Sequence, residues 1–265
     1  MFKDTDNKYY TFEEYQTLIK DNQTDKNGSL IYLYANNLDE QYTYIDAAKN
    51  KGYNVLLMDG QLDVPMINML EQKFEKSHFT RVDSDIVDRL IVKEDQKGEE
   101  LPHDKQEVLS SLFKGQMPKV KKTEFHVEAH ALGENNAPIV ITQAEYMRRM
   151  KDMASIQPGM SFYGEMPDMF NLVLNSDHRL IKQVLSDAET ACAEKLVPVE
   201  SEIAMLTLRR NELQKAQEGK KDEEIPTAEK DELSDVEKKI EAQKTEKENI
   251  LNGYAAGNKV VHQLI

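Results

Sequence analysis

Apolar positions change period several times along the chain, and each change marks a different element. Leu30 to Asn36 and Asn54 to Asp59 are continuous, β-rich apolar runs, the pattern of strands covered on both faces. Between them Asp39 to Lys51 has helical spacing and stops at Gly52, where a left-handed residue can end the turn. Thr11 to Ile19 and Asp63 to Phe74 predict two further helices, and His78 to Asp83 a weaker strand. Such strands, separated by helices, predict a small three-layer α/β subdomain with parallel pairing over residues 1–92.

Lys93 to Lys105 is charged and carries Gly98 and Pro102, so a linker is placed at 93–103. Asp104 to Lys114 then reads as a helix. Val120 to Leu132 alternates in strand fashion, with Val120, Phe125, Val127 and Ala129 against Lys121, Glu124, His126, Glu128 and His130. Gly133 to Pro138 is a turn, and Ile139 to Thr142 and Phe170 to Asn175 are strands. Ser176 or Asp177 is the expected cap of a helix carrying Leu180, Ile181, Val184 and Leu185. These elements predict an α+β domain over 104–185.

From 186 to 252 the spacing becomes heptad-like. Leu196, Val199, Ile203, Leu206 and Leu213 form one seam, and Leu233, Val236, Ile240 and Ile250 another, joined by the polar loop Glu218 to Pro226. Two such helices predict an antiparallel hairpin with its tip at 219–224. Arg210, Gln243 and Lys247 interrupt the narrow seam, so the hairpin is expected to project into solvent. Asn258 to Ile265 is an apolar helical pattern with no evident cap, read as a helix cut short within 253–265.

One segment stands apart. Six of the twelve methionines fall between Met147 and Met169 in a chain without tryptophan. Tyr146, Met147, Met150, Met153 and Ala154 share one helical face, while Arg148, Arg149, Lys151 and Asp152 fill the other. Methionine is flexible and polarizable and suits surfaces that accept many apolar partners. The competing reading is an ordinary helix with its apolar stripe on its own core. Both stand at this point.

Composition narrows the function classes. The net charge is −14, which argues against a nucleic-acid partner, since that needs clustered Lys and Arg. There is no apolar run of about eighteen residues for a membrane span, and the start Met-Phe-Lys-Asp-Thr-Asp has no apolar core of a signal peptide. The lone Cys192 excludes an internal disulfide and fits a reducing, cytoplasmic setting. It reads as a small buried helix side chain. No glycine-rich phosphate loop, Cys-x-x-Cys or His-Glu-x-x-His pattern is present. His126 and His130 share a strand face but read as exposed histidines. Glu99-Glu100 and Glu223-Glu224 read as solvated loop charge. No catalytic, cofactor or metal residue is assigned.

Taken in order, Ile31 to Asn36, Ala47 to Asp59 and Leu62 to Leu70 resemble the end of the middle domain of the ninety-kilodalton heat-shock chaperones, bacterial type. Lys119 to Phe125, Ala137 to Val140 and Asn171-Leu-Val-Leu-Asn-Ser-Asp-His-Arg-Leu-Ile-Lys182 resemble successive elements of that family's C-terminal domain. The resemblance covers 8–185 and 254–265, and leaves 186–252 as an inserted hairpin.

The resemblance implies a homodimeric, ATP-driven chaperone of unfolded or partly folded client proteins, with ATP and magnesium held outside this chain. It implies client contacts at Tyr146, Met147, Met150 and Met153 on the methionine helix, and at Pro65, Met66 and Met69 on the helix near Asp63. Ala154 stands where the family has a phenylalanine, and Pro65 where a bacterial member has a tryptophan. Tyr254, Val260, Val261, Leu264 and Ile265 would be the remnant of a dimerization helix, so self-association should be impaired. The alternative reading is a non-catalytic scaffold that binds a partner through the hairpin.

Overall fold

Leu30–Ala35 (β3) is buried along its whole length. The computed structural model describes residues 1–60, 62–93, 100–156, 162, 164, 166–219 and 225–265, and in it β3 is the centre of a parallel sheet. Val55–Leu57 (β4) and Ser77–Arg81 (β5) pair on its two sides, Leu33 opposite Val55 and Tyr32 opposite Phe79. Side chains alternate across a strand, so β3 feeds two cores. Tyr32 and Tyr34 face a cluster with Phe2, Tyr15, Ile19, Leu56, Ile67, Leu70 and Phe79. Ile31, Leu33 and Ala35 face one with Ile45, Ala48, Val55, Val82, Leu90 and Ile91.

Helices cover both faces. On the aromatic side lie Phe12–Ile19 (α1) and Asp63–Lys73 (α3); on the other lie Tyr42–Asn50 (α2) and Val87–Leu90 (α4). Thr11 starts α1 with a reciprocal cap: its hydroxyl accepts from Glu14 N at 3.2 Å, and the Glu14 carboxylate accepts from Thr11 N at 2.7 Å. Tyr32 stacks on Phe79 with ring centroids 4.6 Å apart. Phe2–Lys3 (β1) and Tyr9–Tyr10 (β2) form a short antiparallel ribbon at the start of the chain.

A second sheet runs β6-β8-β7, from Thr123–His130 (β6), Ile139–Thr142 (β7) and Asp168–Asn175 (β8). β8 pairs parallel with β6 and antiparallel with β7. Asn175 is fully buried, and its amide ties the preceding turn: it accepts from Leu132 N and donates to Gly133 O. Gly133 has φ of 88°, a left-handed conformation that favours glycine. Glu145–Ile156 (α6) follows β7.

Chain contacts gather Met1–Glu100 with Lys119–Ser176 into one unit, and Leu101–Pro118 with Asp177–Ile265 into another. This differs from the sequence-based partition, which kept 104–185 together. His103–Lys114 (α5) buries Val108, Leu109, Leu112 and Phe113 within the second unit. Its Lys105 reaches Glu189, and the nearby Gln116 amide donates to Asn252 O. A helix's amphipathic period reports that it has a buried face, not which partner covers it.

The second unit holds two long helices, Arg179–Gln217 (α7) and Thr227–Ala256 (α8). Contacts of Glu202 with Gln243 and of Arg209 with Glu232 run in opposite chain directions, so the helices are antiparallel. Leu213, Val236 and Ile240 form a small dry cluster between them. Lys247, expected to interrupt the seam, pairs with Glu200 at 2.7 Å.

Three local expectations need correction. α7 is capped by His178, whose Nδ1 accepts from Leu180 N, not by Ser176 or Asp177. α7 also runs unbroken through 186, where the hairpin was expected to begin, and carries Pro198 within it. The tail is not one uncapped helix: α8 ends at Gly257, and Lys259–Leu264 (α9) restarts with Asn258 accepting from Val260 N and Val261 N at 2.9 and 3.2 Å. The expected tip at 219–224 lies, apart from Gly219, outside the described residues, as do Met160, Glu99, Glu223 and Glu224.

Candidate functional site

The sequence pattern left open which side of α6 faces inward, and the packing decides it. Glu145, Arg148 and Arg149 fall on one side of the helix at spacings of three and four. That side docks on the parallel sheet and α3. Arg148 is 5% exposed, whereas Tyr146, next in chain to Glu145, is 67% exposed. Of the two readings left open for this helix, ordinary core packing of the apolar stripe is the one these burials argue against: Glu145, Arg148 and Arg149 make the packing face.

The reason is a polar network centred on Glu145. The Glu145 carboxylate accepts from Tyr34 Oη at 2.8 Å, Arg81 N at 3.2 Å, Arg148 Nη2 at 2.8 Å and Arg149 Nε at 2.6 Å. Arg149 continues to Glu71 on α3 at 2.8 and 3.3 Å and donates to Phe79 O. Glu71 in turn accepts from Phe79 N at 2.7 Å. The Arg148 guanidinium also lies over the Tyr34 ring, 5.8 Å from its centroid. Among the described contacts the Arg148 and Arg149 guanidiniums meet the Glu145 and Glu71 carboxylates inside a partly dry site, where hydrogen-bonded ion pairs strengthen one another.

The electrostatics follow from this packing. Burial alone would raise the Glu145 carboxyl, but the Arg148 and Arg149 charges and the hydrogen bonds from Arg149 and Tyr34 hold it below the usual carboxylate range. Burial pushes the Tyr34 phenol up, and the Glu145 charge pushes it further. Burial lowers Arg149, yet Glu71 and Glu145 outweigh it and leave the guanidinium more firmly charged than usual.

With one side of α6 docked, the other is presented. Tyr146 is exposed, and Met147, Met150 and Met153 are half-buried. Asn68 of α3 donates to Met153 Sδ at 3.3 Å, so the two helices carrying the candidate residues lie side by side. On α3, Pro65 is exposed and Met69 is 58% exposed. Met66 is half-buried and packs on the aromatic core, which makes it partly structural. Leu62, ahead of α3, and Phe162 are also exposed, at 77% and 71%. A side chain at Gly164 would meet Ala154, so Gly164 lies against α6.

The tail residues divide. Val261 is fully buried, Tyr254, Val260 and Leu264 are half-buried, and Ile265 is 41% exposed. The Tyr254 hydroxyl accepts from Asn258. Cys192 is buried on α7, and burial pushes its thiol up. His126 is exposed, while His130 meets Glu128 at 3.0 Å and Arg89 at 3.1 Å. Among the described residues no three His, Cys, Asp or Glu side chains are placed to hold a metal ion. No helix among them is long and apolar enough to cross a membrane. The pattern reading missed Tyr34, Glu71, Glu145, Arg148 and Arg149 as a group; its one local trace is an acid followed at three and four residues by arginines.

Comparison with known proteins adds a family. Residues 1–207 match the model of the Hsp90 protein family. The chain is 66% identical over 265 residues to chaperone protein HtpG of Bacteroides thetaiotaomicron and 68% identical to that of Bacteroides fragilis. It is 45% identical over 267 positions to chaperone protein HtpG of Porphyromonas gingivalis. Each alignment covers all of this chain and 39% of the relative, so the chain spans well under half the length of the proteins it matches.

Proposed function

The chain belongs to the Hsp90 family, the ninety-kilodalton chaperones that its motifs resemble, and from that premise we propose that it supplies the client-binding and self-association region of an ATP-dependent molecular chaperone. The observation that carries the reading is the presentation of α6. A buried ion-pair network fixes Glu145, Arg148 and Arg149 inward and leaves Tyr146 exposed with Met147, Met150 and Met153 half-buried, next to the α3 helix that carries exposed Pro65 and Met69. Clustered exposed apolar side chains mark interaction sites in soluble proteins, and methionines adapt to partners of varied shape. Unfolded or partly folded chains are the partners this chemistry fits.

ATP and magnesium belong, in this reading, to parts of the whole protein outside this chain. The chain's own residues hold and orient a client surface. Half-buried Tyr254, Val260 and Leu264, with exposed Ile265, form the contribution to a dimer. A cytoplasmic location fits the single buried thiol of Cys192.

Light scattering from a thermally unfolding client protein tests the reading. The chain should suppress scattering, and Tyr146→Ala with Met150→Ser should lose most of that suppression while melting within a few degrees of the parent, as surface changes do. Full suppression by the folded double variant would remove the α6 surface from the reading.

A further inference from the structure

Strand β7 is the edge of its sheet, and its outer side is only partly covered. It pairs with β8 so that Ile139 lies opposite Leu174 and Ile141 opposite Leu172. Asn175 N donates to Pro138 O. Hydrogen-bonded pairs alternate in an antiparallel ladder, so Val140 and Thr142 point their backbone groups at β8, while Ile139 and Ile141 point theirs away. On that outer side Ile141 O accepts the Tyr44 hydroxyl, and Gln143 N donates to Asp83 O. The N–H and C=O of Ile139 and the N–H of Ile141 have no partner among the described residues.

Two cavities flank the Tyr44–Ile141 contact. One, of about 470 Å³, is walled by Ala47, Val82, Ile86, Leu132, Ile139 and Val140. It is far larger than the voids of a packed core and within the range of ligand pockets. The other, of about 460 Å³, is polar and lined by Asn36, Asn37, Glu40, Thr142 and Gln143. Thr142 is 1% exposed, and its hydroxyl has no partner among the described residues, which leaves a buried polar group at a cost.

We propose that the groove between α2 and β7 binds an extended polypeptide segment, which adds to the β6-β8-β7 sheet as a fourth strand. A strand offers the partner N–H and C=O groups that the N–H and C=O of Ile139 and the N–H of Ile141 lack among the described residues, and its side chains alternate between faces. An apolar side chain fills the 470 Å³ cavity, and a polar backbone or hydroxyl group reaches Thr142, Asn36 and Asn37. A small apolar molecule would fill the first cavity and leave the buried Thr142 hydroxyl unsatisfied, which costs free energy. Glu40 at the polar end favours a segment flanked by lysine. The groove is built from α2 and β7, not from α3 and α6, so it stands apart from the client surface proposed above.

Fluorescence anisotropy with the full chain and a fluorescein-labelled peptide of sequence Lys-Ser-Val-Thr-Ile-Thr-Val-Ser-Lys tests it. Saturable binding is expected. Two further peptides carry N-methyl groups on alternate amides, one set on each edge of the strand. One should bind about tenfold more weakly through loss of edge hydrogen bonds, and the other within about twofold of the parent. Ala47→Trp, which fills the cavity, should weaken binding by a similar factor, whereas Tyr146→Ala with Met150→Ser should leave it unchanged. Absence of saturable binding, equal binding of both N-methylated peptides, or undiminished binding to a folded Ala47→Trp variant would each overturn the proposal. If Ala47→Trp fails to fold, the N-methylated pair decides on the parent protein. Loss of binding in the α6 variant alone would place the peptide on α6 instead.

Discussion

Glu145 and Tyr146 are neighbours in sequence on opposite sides of α6, and the structure assigns them opposite costs. Glu145→Gln keeps the side-chain size and removes the charge. It takes the Glu145 carboxylate away from Arg148, which is 5% exposed, while Arg149 retains Glu71. Removing one partner of a buried ion pair costs about 3–5 kcal/mol. Glu145 itself keeps 20% side-chain exposure, so the lower end, about 3 kcal/mol, is the expected figure. For a unit of this size that is a fall in Tm of roughly 6–12 °C. Tyr146→Ala removes a side chain that is 67% exposed and should change stability by no more than about 0.5 kcal/mol. Calorimetry on the two variants reads the difference directly. The pattern-based reading, with the apolar stripe as core, demands the reverse order, because truncating a buried aromatic costs about 3–5 kcal/mol. A Tyr146→Ala variant that melts below Glu145→Gln would refute the inward-facing network.

Further outcomes follow from the same geometry. The folded-state pKa of Glu145 lies below its unfolded value, so its contribution is present above about pH 4.3, the usual glutamate value, and is lost as pH falls through the lower folded value; acid titration by circular dichroism should show Glu145→Gln losing this part of the transition. Cys192, buried with its thiol pushed up, should react with a thiol reagent far more slowly in native chain than in denaturant, and equal rates would show the α7 packing is open. Leu213→Ala should destabilise the α7–α8 pair by about 2–3 kcal/mol, because Leu213 packs on Val236 and Ile240. Glu232→Gln, which loses only the exposed ion pair with Arg209, should cost less than about 1 kcal/mol; hydrogen exchange along both helices would separate the two.

Local chemistry was legible wherever the deciding groups lie close in sequence. The helix read from Thr11 to Ile19 forms at Phe12–Ile19, started by Thr11 and Glu14 within one turn. The continuous apolar run at Leu30–Ala35 announces a strand buried on both sides, and Ile139–Thr142 has the same bounds in pattern and in structure. The methionine segment was equally visible as a two-sided helix. Its orientation was not, because Glu145 is fixed by Tyr34, 111 positions away, and Arg149 by Glu71, 78 positions away. A period states that a helix has two unlike sides; only distant partners state which side is covered, and here an ion-pair network turned the charged one inward. The same limit explains the other differences. His178 displaced Ser176 and Asp177 as a cap because its ring nitrogen reaches Leu180 N, and α7 crosses residue 186 because nothing local at that position stops a helix. Sequence alone determined where α6 is and that its two faces differ, and tertiary structure alone decided which of those faces meets solvent.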